Sequence, residues 1–270
     1  MSLHFSSLNS GSNGNCYYIG NDEEAVLVDV GLSCREVEKR LARSGLNLHK
    51  IKAVFISHEH SDHIKGLPVF AKKHNIPVYI SNPTRMNGKL LLNDLLTFNI
   101  AHQEEIMVGK LKVSVFSKFH DAADPYSFTI EYNDFCVGVF TDIGAVCDNL
   151  IAHFSKCNAA FLEANYDTEM LENGRYPYFL KRRIMGGKGH LSNAEALNLF
   201  VKHRPVHMSH LLLSHLSKDN NEPELVEKLF KSVCDDVFIK VASRYIESDV
   251  FFLGELNTNL RKTQLDLFAS

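Results

Sequence analysis

Four potential metal ligands occur close together in the sequence, in the segment His58-Glu59-His60-Ser61-Asp62-His63. The segment directly follows a short apolar run that is typical of a buried strand. Side-chain direction repeats every two residues on an extended chain, so His58 and His60 point to the same side. If the chain then turns into a helix, Asp62 and His63 project toward a second point close by. One short segment can therefore serve two metal ions, and imidazole combined with carboxylate suits zinc, manganese or iron.

So short a segment cannot complete two coordination spheres, so further ligands are expected at the ends of later strands. Three positions that follow apolar runs fit this expectation: His120, Asp142 and His215. In layered α/β proteins, site residues gather where strands end. The alternative is an exposed polar loop that happens to carry histidines, and it does not account for this spacing.

The composition indicates a globular protein, and its 270 residues fit one large domain or two intimate halves. Its 45% hydrophobic content supports a sizeable core, which excludes disorder as the main state. The net charge of −3 excludes a polybasic protein but leaves room for a local basic groove. No apolar run approaches the roughly 18 residues of a membrane helix, and the first residues lack a secretory signal pattern. The six cysteines contain no CxxC, which favours free thiols in a reducing cytoplasm.

Short strands and helices alternate along both halves of the chain, and these elements must hold the ligands in place. Strands are predicted at residues 3–8, 16–19, 25–30, 53–56, 78–80, 112–116, 127–132, 136–141, 159–163, 211–213, 237–241 and 245–253. Helices are predicted at residues 33–44, 64–74, 146–154, 193–203 and 223–232. Ser192 and Glu195 form a capping-box pattern before the fourth helix. The pattern predicts two packed sheets with helices outside and chemistry at strand ends.

The order of the potential ligands, from His58 to His215, resembles the metallo-β-lactamase superfamily. Asp29, at the end of Leu27-Val28-Asp29, matches that superfamily's first motif, where the aspartate organises the metal loop. The resemblance implies an α/β fold, an αββα sandwich with the metal site at the sheet edge. It also implies hydrolysis by a water that two divalent metal ions activate.

The resemblance divides the ligands between two metal ions. The first ion would be held by His58, His60 and His120. The second ion would be held by Asp62, His63 and His215, and Asp142 would bridge the two and share in catalysis.

Several further segments resemble the YycJ/WalJ-type nucleases of this superfamily, at residues 10–16, 163–167, 174–177, 180–184, 189–193 and 215–221. The chain departs from that family at two places. The family often has histidine where this chain has Tyr166, and it has an acidic residue where this chain has Gly186-Gly187-Lys188. The resemblance implies a dinuclear metal-dependent phosphodiesterase, a DNA exonuclease acting from ends, with a role in DNA repair or replication.

His190, in Gly-His-Leu-Ser, is similar to a histidine that nucleases of this superfamily place near the scissile phosphate. In that role it would protonate the leaving oxygen or stabilise the developing charge. The alternative is a histidine that only caps the following helix. Basic residues just before and after it are predicted to contact the phosphate backbone: Lys181, Arg182, Arg183 and Lys188. The alternative for these residues is a solvated charged face.

Residues 1–256 are predicted to form one metallo-β-lactamase-like domain, and residues 257–270 a C-terminal tail. The tail sequence Gln264-Leu265-Asp266-Leu267-Phe268 resembles the peptide by which bacterial DNA enzymes dock on the replicative sliding clamp. Leu267 and Phe268 would enter an apolar pocket, and Gln264 would form a hydrogen bond at a second point. The alternative is that these side chains pack on the chain's own body.

Two other functions remain open from the sequence. A small-molecule hydrolase acting on an ester, thioester or lactam would have a closed apolar pocket over the metals and no basic track. A non-catalytic clamp-binding protein would keep the metal site for stability only. Seven intact ligand positions argue against the second of these.

Overall fold

The protein is described by a computed structural model over residues 2–254, and these residues form two seven-stranded sheets. The first sheet contains, in spatial order, β14 (Phe251–Leu253), β1 (Leu3–Asn9), β2 (Cys16–Gly20), β3 (Ala25–Val28), β4 (Ile51–Phe55), β5 (Val78–Tyr79) and β6 (Thr97–Phe98). The second contains β13 (Phe238–Val241), β12 (His210–Ser214), β11 (Ala159–Glu163), β10 (Phe135–Phe140), β9 (Tyr126–Tyr132), β8 (Leu111–Ser117) and β7 (Glu105–Val108).

Helices accompany both sheets. They are α1 (Cys34–Arg43), α2 (Ser61–Ile64), α3 (Leu67–His74), α4 (Asn82–Asn87), α5 (Asp148–Phe154), α6 (Thr168–Asn173), α7 (Tyr178–Met185), α8 (Asn193–His203) and α9 (Pro223–Lys231). In the part of the chain that the structure describes, none of them is long and apolar enough to span a membrane.

Alternate side chains of a strand point to opposite faces of its sheet. Both faces of each sheet carry apolar side chains and are covered. The inner faces pack together, with the Phe55 and Phe128 ring centroids 5.6 Å apart and those of Tyr17 and Phe161 4.8 Å apart. On the outer face of the first sheet, Leu27 packs in one cluster with residues of α1 and α3. The outer face of the second sheet packs similarly against α5, α8 and α9. The predicted αββα sandwich is confirmed.

The functional edge is created by parallel strands. In the first sheet β3 and β4 run parallel, and in the second β10, β11 and β12 do. The carboxyl ends of parallel neighbours meet at one edge, where loops can bring their side chains together. The residues that follow or end these strands are Asp29, His58, Asp142, Glu163 and His215.

Two predicted elements differ from the structure. The helix predicted at residues 64–74 is split into α2 and α3 at Gly66, where a β-carbon would lie 1.7 Å from the Leu32 carbonyl oxygen. The strand predicted at residues 245–253 was too long, since only Phe251–Leu253 pairs with β1. The Tyr245 carbonyl instead accepts a hydrogen bond from buried Arg40 at 2.8 Å, so this part of the chain is held by loop contacts.

Candidate metal centre

Three histidines form a first group of potential ligands. His58 and His60 lie in the loop after β4, and His120 follows β8. The Nδ1 atom of His60 lies 3.0 Å from Nε2 of His58 and 3.3 Å from Nε2 of His120. The ring nitrogens therefore converge on one point, with His58 and His60 on the same side as the alternation predicts.

A second group combines one carboxylate with two histidines. Asp62 and His63 belong to α2, and His215 follows β12. The Asp62 Oδ2 atom lies 3.5 Å from Nε2 of His63 and 3.5 Å from Nε2 of His215. The turn into α2 brings Asp62 and His63 to this second point, away from His60.

Asp142 lies between the two groups. Its Oδ2 atom is 3.2 Å from Nε2 of His63, and its Oδ1 atom is 3.5 Å from Nε2 of His215 and 3.8 Å from Nε2 of His120. The side chain is buried, so both oxygens face ligands and not water. One carboxylate thus contacts members of both groups.

Hydrogen bonds on the far nitrogens orient the rings on the first-sheet side. The His63 Nδ1 atom donates to Asp29 Oδ2 at 2.7 Å, and the Ser57 hydroxyl donates to the same oxygen at 2.8 Å. Ser57 Oγ in turn lies 2.9 Å from Nδ1 of His58 and accepts its proton. Because Nδ1 carries the proton in both rings, the lone pair of Nε2 faces the site. Asp29 therefore holds Ser57 and His63 from behind the cluster.

Equivalent contacts orient the rings from the second sheet. His120 donates from Nδ1 to the Gly189 carbonyl at 3.0 Å, and His215 donates from Nδ1 to Glu163 Oε1 at 2.9 Å. Glu163 also accepts from Nδ1 of His190 at 2.8 Å. With Nδ1 engaged in both rings, Nε2 of His215 faces Asp142 and Nε2 of His190 is left for the cleft.

Glu163 is a site residue that the sequence analysis did not identify. Its side chain is fully buried at the end of β11, and its second oxygen accepts from the backbone N–H of Ile143 at 2.7 Å. Burial raises the pKa of Glu163, but the charge and hydrogen bonds of His190 and His215 lower it to about 2. The signal was available, because Glu163 ends a predicted strand in the same way that Asp142 and His215 follow theirs.

The donor set fits divalent metal ions. Asp142 Oδ2 and His215 Nε2 are buried and make no hydrogen bond. With its proton on Nδ1, His63 presents a lone pair to Asp142 Oδ2, and two acceptors in contact require a cation between them. Burial lowers the pKa of His63, but the carboxylates of Asp142, Asp29 and Asp62 raise it to about 10. In the absence of metal a proton thus supplies the positive charge that an ion would bring.

The backbone at three site residues is in the left-handed region. The φ angles are 62° at Asp29, 55° at Asp142 and 55° at His215. This conformation is uncommon for residues with a side chain and concentrates at functional sites, where the surrounding structure must hold it. Each angle turns the chain sharply at a strand end and directs the side chain into the cluster.

The loop between β1 and β2 holds the ligand loops together. The Asn15 N–H donates to the Asp62 carbonyl at 2.7 Å, and its side-chain amide donates to Asp62 Oδ2 at 3.2 Å. The Ser10 hydroxyl accepts from the N–H of His215 at 2.8 Å. The Ser-Gly-Ser-Asn-Gly-Asn segment therefore holds Asp62 and His215, two members of the second ligand group that follow strands of different sheets, in place.

A cleft of about 210 Å³ opens beside His190 and His215, and Asp121 and Arg183 stand on its wall. Arg183 forms a salt bridge with Asp121. Beyond this pair lies a groove of about 560 Å³ whose lining includes Arg182 and Lys188. Lys181 does not line either space, since its Nζ atom donates to the Glu172 carbonyl at 2.7 Å.

The two positions where the chain departs from the family have different surroundings. Tyr166 is buried, and its carbonyl accepts from the N–H of Asn193 at 2.8 Å, which anchors the start of α8. Lys188 is exposed and lines the groove beside Gly186 and Gly187.

Two other features of the described residues lie outside this site. Cys34, Glu38 and His74 form a further group of potential ligands between α1 and α3, but Glu38 is already paired with Lys73 at 2.7 Å. A cavity of about 400 Å³ between α3 and residues 91–97 contains none of the candidate ligands.

Fold and donor set together define a metal-dependent hydrolase. Residues 10–123 match the model of the metallo-beta-lactamase superfamily. The chain is 36% identical to the exodeoxyribonuclease YycJ of Bacillus anthracis, over 87% of this chain and 90% of that protein. It is 32% identical to the exodeoxyribonuclease WalJ of Streptococcus pneumoniae, over 82% of this chain and 84% of that protein. The chain therefore belongs to the YycJ/WalJ family of the metallo-beta-lactamase superfamily, and the resemblance stated from its motifs is confirmed.

Solved structures agree on the fold. The metallo-beta-lactamase fold protein YhfI of Bacillus subtilis superposes with a TM-score of 0.71, covering 93% of this chain and 99% of that one at 18% identity. At this identity the likeness concerns the architecture alone.

Proposed function

We propose that this protein is a DNA exonuclease that hydrolyses phosphodiester bonds at strand ends with two divalent metal ions. The observation that carries the proposal is the groove lined by Arg182 and Lys188, which shares Asp121 and Arg183 with the cleft beside the ligand cluster. A small-molecule hydrolase would instead need a closed apolar pocket over the metals. The names of the two long relatives, both exodeoxyribonucleases, support DNA as the substrate.

The two ligand groups would each hold one ion. His58, His60 and His120 would hold the first, and Asp62, His63 and His215 the second. Asp142 would contact both, since its oxygens face His63, His120 and His215. When bound, such a pair of ions acts as a Lewis acid on the phosphate and lowers the pKa of a coordinated water.

His190 is the residue of this chain that would move a proton. Its Nδ1 atom donates to Glu163, and its side chain is 22% exposed, so Nε2 is available at the cleft. There a protonated imidazole donates to the leaving oxygen as the P–O bond breaks. Glu163 positions the ring and stabilises its charged form from the buried side.

The cellular setting is also a proposal. The six cysteines are free thiols, as expected of a protein in the reducing cytoplasm. The clamp-binding residues Gln264, Leu265, Leu267 and Phe268 lie outside the described residues, and docking on the sliding clamp stays a prediction. A clamp contact would bring the nuclease to DNA under replication or repair.

The decisive experiment is incubation of metal-defined protein with end-labelled single- and double-stranded DNA and RNA. Zinc, manganese and iron forms are compared, and a closed circular plasmid is the control without ends. We expect nucleotides to be released from DNA ends while the plasmid stays intact. Hydrolysis of a β-lactam or a thioester with no release from DNA would contradict the proposal.

A further inference from the structure

Phe119 is an exposed aromatic residue on an anchored piece of chain. Its side chain is 52% exposed, although both neighbours, Lys118 and His120, are buried. Lys118 Nζ donates to the Thr141 carbonyl at 2.6 Å, and the Phe119 carbonyl accepts from the N–H of Gly144 at 2.6 Å. The ring is therefore presented to the surface from a fixed backbone, one residue away from a candidate metal ligand.

The Phe119 ring lines the groove of about 560 Å³ described above, here called the Phe119 groove. Its wall is tightly built, because a β-carbon at Gly144 would lie 2.5 Å from the Cα of Lys188. Asp121 and Arg183 line both this groove and the cleft beside His190, so the two spaces adjoin. A chain lying in the Phe119 groove would therefore lie next to the cleft beside His190.

The positive side chains that line the Phe119 groove are only partly paired with acidic residues. Arg183 is paired with Asp121, whereas Arg182 and Lys188 have no acidic partner among residues 2–254. In addition, α7, which carries both arginines, contains no buried residue, so its outer face is not used by the core. An aromatic face beside unpaired cations is the combination that binds single-stranded nucleic acid, through base stacking and phosphate contacts.

We propose that the Phe119 groove binds the unpaired terminal nucleotides of the strand being cut, with a base stacked on Phe119 and phosphates at Arg182 and Lys188. The inference rests on the proposed nuclease function and deepens it. A base inside a duplex has both faces covered by its neighbours, so the strand must unpair at its end before more than the terminal base can stack on a protein ring. Recognition by stacking also makes the enzyme tolerant of sequence, because every base has a face to offer.

The test measures binding to short strands with slowly hydrolysed phosphorothioate linkages, carrying 2-aminopurine at the 5′ or 3′ terminus. Phe119→Ala is compared with Phe119→Trp, which restores an aromatic face, and with Phe238→Ala, a matched control. Phe238 is 46% exposed on β13 and belongs to neither the cleft nor the Phe119 groove. Metal content and melting temperature are measured for every variant.

We expect Phe119→Ala to weaken binding of the single strand by roughly 5- to 150-fold, from the usual range for one stacked base. Phe119→Trp retains binding, and Phe238→Ala leaves it unchanged. In cleavage, Phe119→Ala loses the preference for a duplex with two unpaired terminal nucleotides over a blunt duplex.

Two results would overturn the inference: unchanged binding by Phe119→Ala, or an equal loss of binding to single strands and to blunt duplexes. In both cases wild-type cleavage of DNA would leave the proposed function standing. If the wild type neither binds nor cuts DNA, the proposed function itself fails.

Discussion

At the residue scale, a single oxygen of Glu163 joins the candidate acid to a candidate ligand. Nδ1 of His190 and Nδ1 of His215 both donate to Oε1, at 2.8 and 2.9 Å. The two ring planes are inclined at 29° to each other, with centroids 5.3 Å apart. Because one carboxylate oxygen accepts from both rings, a change at His215 can reach His190 through Glu163. Metal loading and proton transfer are therefore expected to be linked through Glu163.

Replacing His190 distinguishes a general acid from a metal ligand at this position. We expect His190→Ala to lower kcat on DNA by roughly 10²–10⁴, the range for a general acid–base group, with unchanged metal content. Glu163→Gln should lower kcat by less, because an amide can still accept the Nδ1 hydrogen bond of His190 but carries no charge to stabilise an imidazolium. Loss of one metal ion in His190→Ala would instead make His190 a ligand.

The ligand assignment has its own test at this scale. His58→Ala and Asp142→Asn should each reduce the bound metal, measured by elemental mass spectrometry, and remove activity while the fold survives. The matched control is His49→Ala, since His49 is exposed and outside the site. Full metal occupancy in both ligand variants would refute the assignment.

At the scale of elements, strand ends were the most informative part of the sequence. The apolar runs located β10, β11 and β12, and the polar residues beyond them converge as expected. Lys181 shows what the sequence leaves undecided, because its position on a basic run does not reveal that it bonds to the Glu172 carbonyl. The helices α4, α6 and α7 were missed, since each buries at most one residue and so shows no periodic apolar face.

The capping box of α8 was predicted and is present. The Ser192 hydroxyl accepts from the N–H of Glu195, and the Glu195 carboxylate accepts from the N–H of Ser192. Ser192→Ala should lower the free energy of unfolding by about 1 kcal/mol, or roughly 2–4 °C in Tm. Ser155→Ala at the C-terminal end of α5 is the control, because there the backbone N–H makes the cap. An equal Tm shift in both variants would contradict this account.

At the scale of the whole molecule, a buried histidine makes stability depend on pH. His4 is 5% exposed, and burial lowers its pKa to about 4. Between pH 6.5 and 4 the unfolded chain binds the proton more readily, so stability falls as the pH falls through this window. His4→Phe should flatten the fall by up to about 3 kcal/mol in urea unfolding. His49→Gln, at an exposed position, should keep the wild-type slope; the same slope in His4→Phe would be inconsistent with this cause.

The tail prediction also belongs to the whole molecule. Deletion of residues 264–270 should abolish co-elution with the sliding clamp and leave turnover on short DNA intact, because none of the candidate metal ligands belongs to this segment. Leu267→Ala with Phe268→Ala should reproduce the loss, whereas Lys262→Ala should not. Retention of clamp binding after the deletion would place the contact elsewhere on the protein.

The first sheet has a consequence for biosynthesis. Its edge strand β14 pairs with β1, with Leu253 opposite Leu3. During synthesis β1 therefore leaves the ribosome long before its partner β14. His58 to His63 are likewise translated long before His215, which completes the second ligand group. A nascent chain thus carries an exposed, partly assembled chelating segment and an unpaired strand edge throughout its synthesis. Co-translational folding of the first sheet is therefore expected to stay incomplete until β14 leaves the ribosome and pairs with β1.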